Sequence, residues 1–164
     1  MNLESYTLAL GKILVGFHSL EISLRHFFQG YEATLNPPSP VVPPKPLRVG
    51  QMVPKATYSA YDSLNGLLKS FNAVVKENHA NLALSPALIE LRDALAHGRV
   101  WSETLQPPLQ LLKFSKPLPN SVGISVLQAD VIDEAWLQAQ MLMLERESAK
   151  VFKTGKLMHP KRWA

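Results

Sequence analysis

Apolar residues recur every three or four positions from Leu3 to about Phe28, through Leu10, Leu14, Phe17, Leu20, Leu24 and Phe27, so the chain opens with a long amphipathic helix. The period is lost from Asn36 to Pro54, where seven of the 13 prolines fall. Proline is excluded from helix interiors and Pro-Pro steps favour extended polyproline geometry, so residues 36–54 read as a long, semi-rigid, Pro-rich surface loop. Helical spacing returns from about Thr57 to Asn78, with Tyr61, Leu64, Leu67 or Leu68, Phe71 and Val74 or Val75 as the apolar stripe, and breaks at Asn78-His79-Ala80-Asn81. Asn65, Lys69 and Asn72 fall among the solvent-facing positions of that helix.

A shorter helix follows. Ser85 suits its N-cap, Pro86 its first position, Leu88, Leu91 and Leu95 its buried face, and Gly98 a left-handed C-cap. Beyond Gly98 the period becomes two. Arg99 to Ser102, Leu109 to Phe114 and Gly123 to Leu127 are short β-prone runs separated by Pro107-Pro108, Pro117 and Pro119-Asn120, so residues 99–128 read as an inserted β-hairpin or three-stranded flap. Asp130 or Asp133 then caps a last long helix with Trp136, Leu137, Met141, Leu144, Val151 and Phe152 on its apolar face.

Composition sets the limits of this reading. A chain of 164 residues with 46% hydrophobic content is one globular domain by its size, residues 1–164. The absence of cysteine excludes disulfides and thiolate chemistry and fits a reducing compartment. Glu4 stands where a secretory leader would be cationic, and no uninterrupted apolar stretch approaches ~18 residues, so the expectation is a cytoplasmic protein with no membrane partner. The net charge of +4 permits a polyanionic partner without requiring one. Lys150, Lys153, Lys156, Lys161 and Arg162 crowd the end of the chain, residues 156–164 reading as a basic tail with Trp163 as a stacking surface.

The chemistry concentrates in Arg92-Asp93-Ala94-Leu95-Ala96-His97-Gly98. Asp93 and His97 are four apart and share a helix face, so the carboxylate can orient the imidazole. Arg92 lies five before His97, about 140° around an ideal helix, and its long side chain must bend to reach the same cleft. The partly negative helix end suits a cationic imidazole. Other parts are missing: the chain has no Gly-rich phosphate loop, no His-Glu-x-x-His and no Gly-x-Ser-x-Gly elbow. His18 and His26 lack a third ligand, so no metal and no cofactor is expected.

The run from Arg92 to Gly98 resembles the signature of HEPN domains, in which Arg and a polar residue precede Ala-His-Gly. The resemblance implies a mainly α fold, a HEPN-like antiparallel helical bundle of four to five helices, to which the alternating period adds the small β-hairpin or flap after the motif helix. It also implies a metal-independent endoribonuclease with Arg92, Asp93 and His97 as catalytic residues. Attack of a 2′-hydroxyl on the adjacent phosphate would leave a cyclic phosphate and a 5′-hydroxyl. Arg99, Lys45 and Arg48, with Glu21 and Arg25 of the first helix, are the substrate-binding candidates beside it. One motif per chain implies a homodimer with a composite site, its seam built from the motif helix and an apolar long-helix face. A toxin or phage-defence setting, with an antitoxin as partner, follows from the same likeness. In the toxin branch a Tyr commonly stands two residues after the His; here that residue is Arg99. The alternative is a non-catalytic HEPN-like module that holds a nucleotide or another protein.

Overall fold

A computed structural model describes residues 2–35, 48–49, 52, 62–104, 106–117, 119–120, 122–160 and 163. It is mainly helical with a small antiparallel sheet: α1 (Leu3–Leu35), α2 (Leu64–Lys76), a 3₁₀ turn (Ala80–Leu82), α3 (Ala87–His97), β1 (Arg99–Trp101), β2 (Leu109–Phe114), β3 (Val126–Ile132) and α4 (Glu134–Met158). Within the expected span of one domain, the chain forms two compact units, residues 1–18 with 85–146 and residues 19–84 with 147–164. Both α1 and α4 contribute to each.

In the first unit the strand order is β1-β2-β3, all antiparallel. Residues opposite one another share a face of the sheet. Leu109 opposite Ile132, and Leu111 between Val100 and Asp130, therefore mark the inner face, and Leu109, Leu111 and Ile132 are buried. Helix α3 packs over β2 with Leu88, Leu91 and Ala94 buried. The outer face carries one row of Arg99, Leu112 and Ala129 and another of Trp101, Gln110 and Val131. A Cβ on Gly16 would stand 3.1 Å from Leu144 Cδ1, so α1 approaches α4 closely at that glycine.

The third strand differs from the expected Gly123–Leu127. It starts at Val126 and runs to Ile132, because pairing with β2 selects Leu109 opposite Ile132 and fits the irregularity between Lys113 and Phe114 at the other end. Asp130 is consequently a strand residue. Asp133 alone caps α4, its Oδ1 accepting from the Trp136 N–H at 2.8 Å.

The second unit is centred on Phe27, whose ring lies 5.0 Å from Phe71, 5.4 Å from Phe28 and 5.7 Å from His159, centroid to centroid. Burial of Phe27, Phe28 and Gln29 explains why α1 continues to Leu35 rather than ending near Phe28: packing carries the helix past the point where the apolar period fades. The Ser63 hydroxyl accepts from Gly66 N–H at 3.2 Å and caps α2. The expected start near Thr57 lies outside the described residues.

Three side chains that the sequence places on the surface, Asn72, Lys150 and Trp163, instead hold this unit together. The Asn72 amide donates to the Leu84 carbonyl at 2.9 Å and accepts from the Leu84 N–H at 2.7 Å, pairing both backbone groups of a buried residue. Lys150 donates to Glu147 and to the Ala83 carbonyl, each at 2.9 Å, while Glu147 is fully buried. Trp163 lies edge-on to Phe152, 5.5 Å between centroids, and closes on Gly155, where a Cβ would collide with the indole. The tail residues 156–158 are the last turn of α4.

By length and composition α1 is apolar enough to cross a membrane, with a mean hydropathy of 1.3 over an 18-residue window of which 22% is buried; core helices and leader segments pass the same test. Leu8, Val15 and Ile22, seven residues apart, are exposed along it.

Replacing Asn72 leaves the buried Leu84 N–H and carbonyl without these two bonds. Asn72→Ala is expected to lower unfolding free energy by about 1–3 kcal/mol, read from the urea midpoint.

Candidate active site

The motif helix starts one residue later than its capping pattern suggests. Pro86, with φ −63° and ψ −21°, occupies the cap position, and the Ser85 hydroxyl accepts from the Ala87 N–H at 3.3 Å, so Ser85 serves the helix start from one place further out. Leu88, Leu91 and Ala94 recur at three-residue spacing and face the sheet. That orientation fixes what points away: Arg92, Ala96 and His97 are exposed and Asp93 is half-buried.

The helix end corrects the expected left-handed cap. Gly98 has φ −72° and ψ 172°, an extended conformation open to any residue, and its N–H closes the last turn on the Ala94 carbonyl at 2.7 Å. Glycine is required there by space. A Cβ would collide with the Ala94 carbonyl oxygen and stand 3.0 Å from both Leu111 Cδ1 and the Leu112 carbonyl oxygen. The chain passes straight from helix into β1, and Arg99 emerges on the outer face of the sheet, in the row of Leu112 and Ala129.

Asp93 does not hold His97. Its Oδ1 accepts from Arg92 Nη1 at 3.1 Å, with the two side chains 40% and 45% exposed. The adjacent guanidinium has taken the carboxylate from the imidazole four residues on, and at this exposure the ion pair is worth under about 1 kcal/mol. The motif therefore lies on exposed surface, where Arg92 has donors beyond the one given to Asp93 and His97 stands at the helix terminus. Among the described residues no group of three or more His, Asp or Glu is arranged as a metal-ligand set.

The other candidates are divided between the two units. Glu21 and Arg25 pair with each other at 2.8 Å in the second unit, and Arg25 also donates to the Asp62 carbonyl at 2.9 Å, which commits it to joining α1 to the residue before the α2 cap. Arg48 is exposed, and Lys45 lies outside the described residues. Only Arg99 shares a unit with Arg92, Asp93 and His97.

A cleft of about 330 Å³ on the same unit, lined by Trp101, Glu103, Gln106, Gln110 and Val131 among others, has no motif in the sequence. It is assembled from all three strands and the loop between β1 and β2, and its one signal in the sequence is an aromatic in a strand next to prolines. Tyr6 was also unmarked. Its hydroxyl is buried without a hydrogen-bond partner among the described residues, and burial pushes its pKa up, so it stays neutral and is no base near pH 7.

In comparisons with known proteins, no family profile, no curated protein and no solved structure matches the chain.

Because Gly98 is confined by backbone on two sides, Gly98→Ala is expected to destabilise the protein by about 1–3 kcal/mol. Arg92→Ala and His97→Ala, on open surface, should each change stability by less than about 0.5 kcal/mol. Chemical denaturation of the three variants checks the contrast.

Proposed function

We propose that the chain is a metal-independent endoribonuclease of HEPN type. The observation that carries this reading is the division of α3: Leu88, Leu91 and Ala94 are buried against the sheet, while Arg92 and His97 of the HEPN-like motif are exposed and Asp93 is half-buried. A phosphodiester contacted there meets a permanent, fork-shaped cation and an imidazole whose ring nitrogens can donate or accept a proton.

In the reaction, the imidazole of one His97 takes the proton of the 2′-hydroxyl, and the oxygen attacks phosphorus. The bond to the 5′-oxygen breaks, and that oxygen receives a proton from an imidazolium on the opposite side of the in-line displacement. Arg92 neutralises the charge gathering on the non-bridging oxygens. The products are a 2′,3′-cyclic phosphate and a 5′-hydroxyl. One His97 cannot serve both sides at once, so the second comes from another copy of the chain, which makes the working form a homodimer. Asp93 acts through Arg92, which it holds at 3.1 Å.

One observation favours the second reading, a non-catalytic module that grips a phosphate. Asp93 is turned to Arg92 and leaves His97 without the carboxylate that would aim it as a base. The two readings separate on product: only the first generates cyclic phosphate ends.

With single-stranded RNA as substrate, Arg92→Ala and His97→Ala are each expected to lower the cleavage rate by at least about 100-fold while the circular dichroism spectrum is retained. Cleavage should persist in EDTA, and expression of the intact chain should arrest bacterial growth where the His97→Ala chain does not. RNA that is bound but never cut would favour the phosphate-gripping module, and activity lost to EDTA and restored by Mg²⁺ would remove the mechanism.

A further inference from the structure

The sheet of the first unit ends on one side in a strand that is built to be paired. With the order β1-β2-β3, both β1 and β3 are edges. β1 is three residues long, which is itself a protection against pairing. β3 is seven residues long, carries no Lys and no Pro, and exposes Val126 at 54%, Leu127 at 62% and Val131 at 47%. Its irregularity against β2 falls at Val126–Leu127, so the run from Gln128 to Ile132 is regular. Backbone N–H and carbonyl groups along its outer rim have no strand to bond among the described residues.

We propose that the occupant of this edge is a second copy of the chain, paired antiparallel through β3 about a two-fold axis at Ala129. The sequence of the strand is self-complementary in this register and in no neighbouring one. Ala129 meets the partner's Ala129, placing the smallest side chain of the strand where two identical residues must face each other. Gln128 stands opposite the partner's Asp130, an amide donor against a carboxylate. Leu127, at the irregularity, comes beside the partner's Val131. Moving the axis to Asp130 opposes two carboxylates directly. Moving it to Gln128 opposes two amides and takes Asp130 away from the partner's Gln128.

Within one chain Gln128 Nε2 already donates to Asp130 Oδ2 at 2.5 Å, so these side chains lie on one face of the strand and present an amide and a carboxylate together. In the pair each carboxylate accepts from two amides. Residues opposite one another in antiparallel strands point the same way, so the joined six-stranded sheet keeps its inner faces on one side, with α3 of both copies over it. The exposed apolar groups that leave solvent are Leu127 and Val131 of each copy, on the outer face. This inference rests on the strand and stands whether or not the motif cleaves RNA; if that cleavage occurs, the pair sets both motif helices on the same side.

The chain has no cysteine, so one introduced thiol reports its own neighbourhood. Antiparallel partners lie about 4.5–5.5 Å apart at Cα, inside the range a disulfide spans. Ala129→Cys on the full chain is expected to form an interchain disulfide under mild oxidation roughly tenfold or more faster than Ala73→Cys, an exposed position on α2. Light scattering of the wild type at high micromolar concentration should give twice the 18.2 kDa of one chain, and Val131→Lys, checked for retained helicity, should return it to that mass. Equal cross-linking rates at the two positions would overturn the proposal even if the protein is a dimer. So would a wild type that keeps the mass of one chain. Because neither readout uses RNA, loss of the ribonuclease reading leaves the result untouched.

Discussion

The first unit depends on how closely the end of α3 is drawn onto β2. At Gly98 the backbone lies against the Ala94 carbonyl on one side and the Leu111 side chain and Leu112 carbonyl on the other, with no room for a Cβ. That contact turns a helix directly into a strand without a loop, and it aligns two periodicities. Leu88, Leu91 and Ala94 meet the inner face of the sheet at helical spacing, and Arg99 leaves on the outer face at strand spacing. The exposure of Arg92 and His97 follows from the same alignment, since the helix cannot rotate to bury them without lifting its leucines off the sheet.

The positive charge of the chain is divided between two kinds of work. Lys150 and Arg25 each combine an acidic partner on their own helix with a backbone carbonyl from another segment, Ala83 and Asp62 respectively. A carbonyl at a chain break has no helical partner, and a long cationic side chain reaches it at less entropic cost when its carboxylate neighbour already restricts it. Arg92 and Arg99 stand at the helix-to-strand junction and on the outer sheet face instead. A net charge of +4 is thus not carried by equivalent groups: some cations are tied into the fold and others stand on exposed surface.

Apolar surface is left uncovered in the same unit. Leu127 and Val131 on β3 and Trp101 on β1 are exposed, on a sheet whose inner side buries Leu109, Leu111 and Ile132. Among the described residues, α3 covers one face of the three-stranded sheet and the other keeps apolar side chains in water. The long β3 edge and this outer face meet at Ala129 and Val131, so one contact along the strand withdraws both from water.

The helices and the alternating region were legible in the sequence because each rests on local periodicity: apolar residues at three and four in α1, α2, α3 and α4, and at two beyond Gly98. The motif was legible for a similar reason, since its residues lie within seven positions and on one element. Tertiary structure decided the rest. It carried α1 past Phe28 through the burial of Phe27 and Phe28, moved the third strand to Val126–Ile132 through pairing with β2, and gave Gly98 an extended backbone where a left-handed cap was expected. It turned Asn72 and Lys150 from surface residues into partners of Leu84 and Ala83, and drew Asp93 to Arg92 instead of His97. Each of these depends on a group distant in sequence or on competition between two neighbours for one acceptor. Periodicity records which face of an element is buried; it carries no information about which carbonyl, ring or strand will be waiting there.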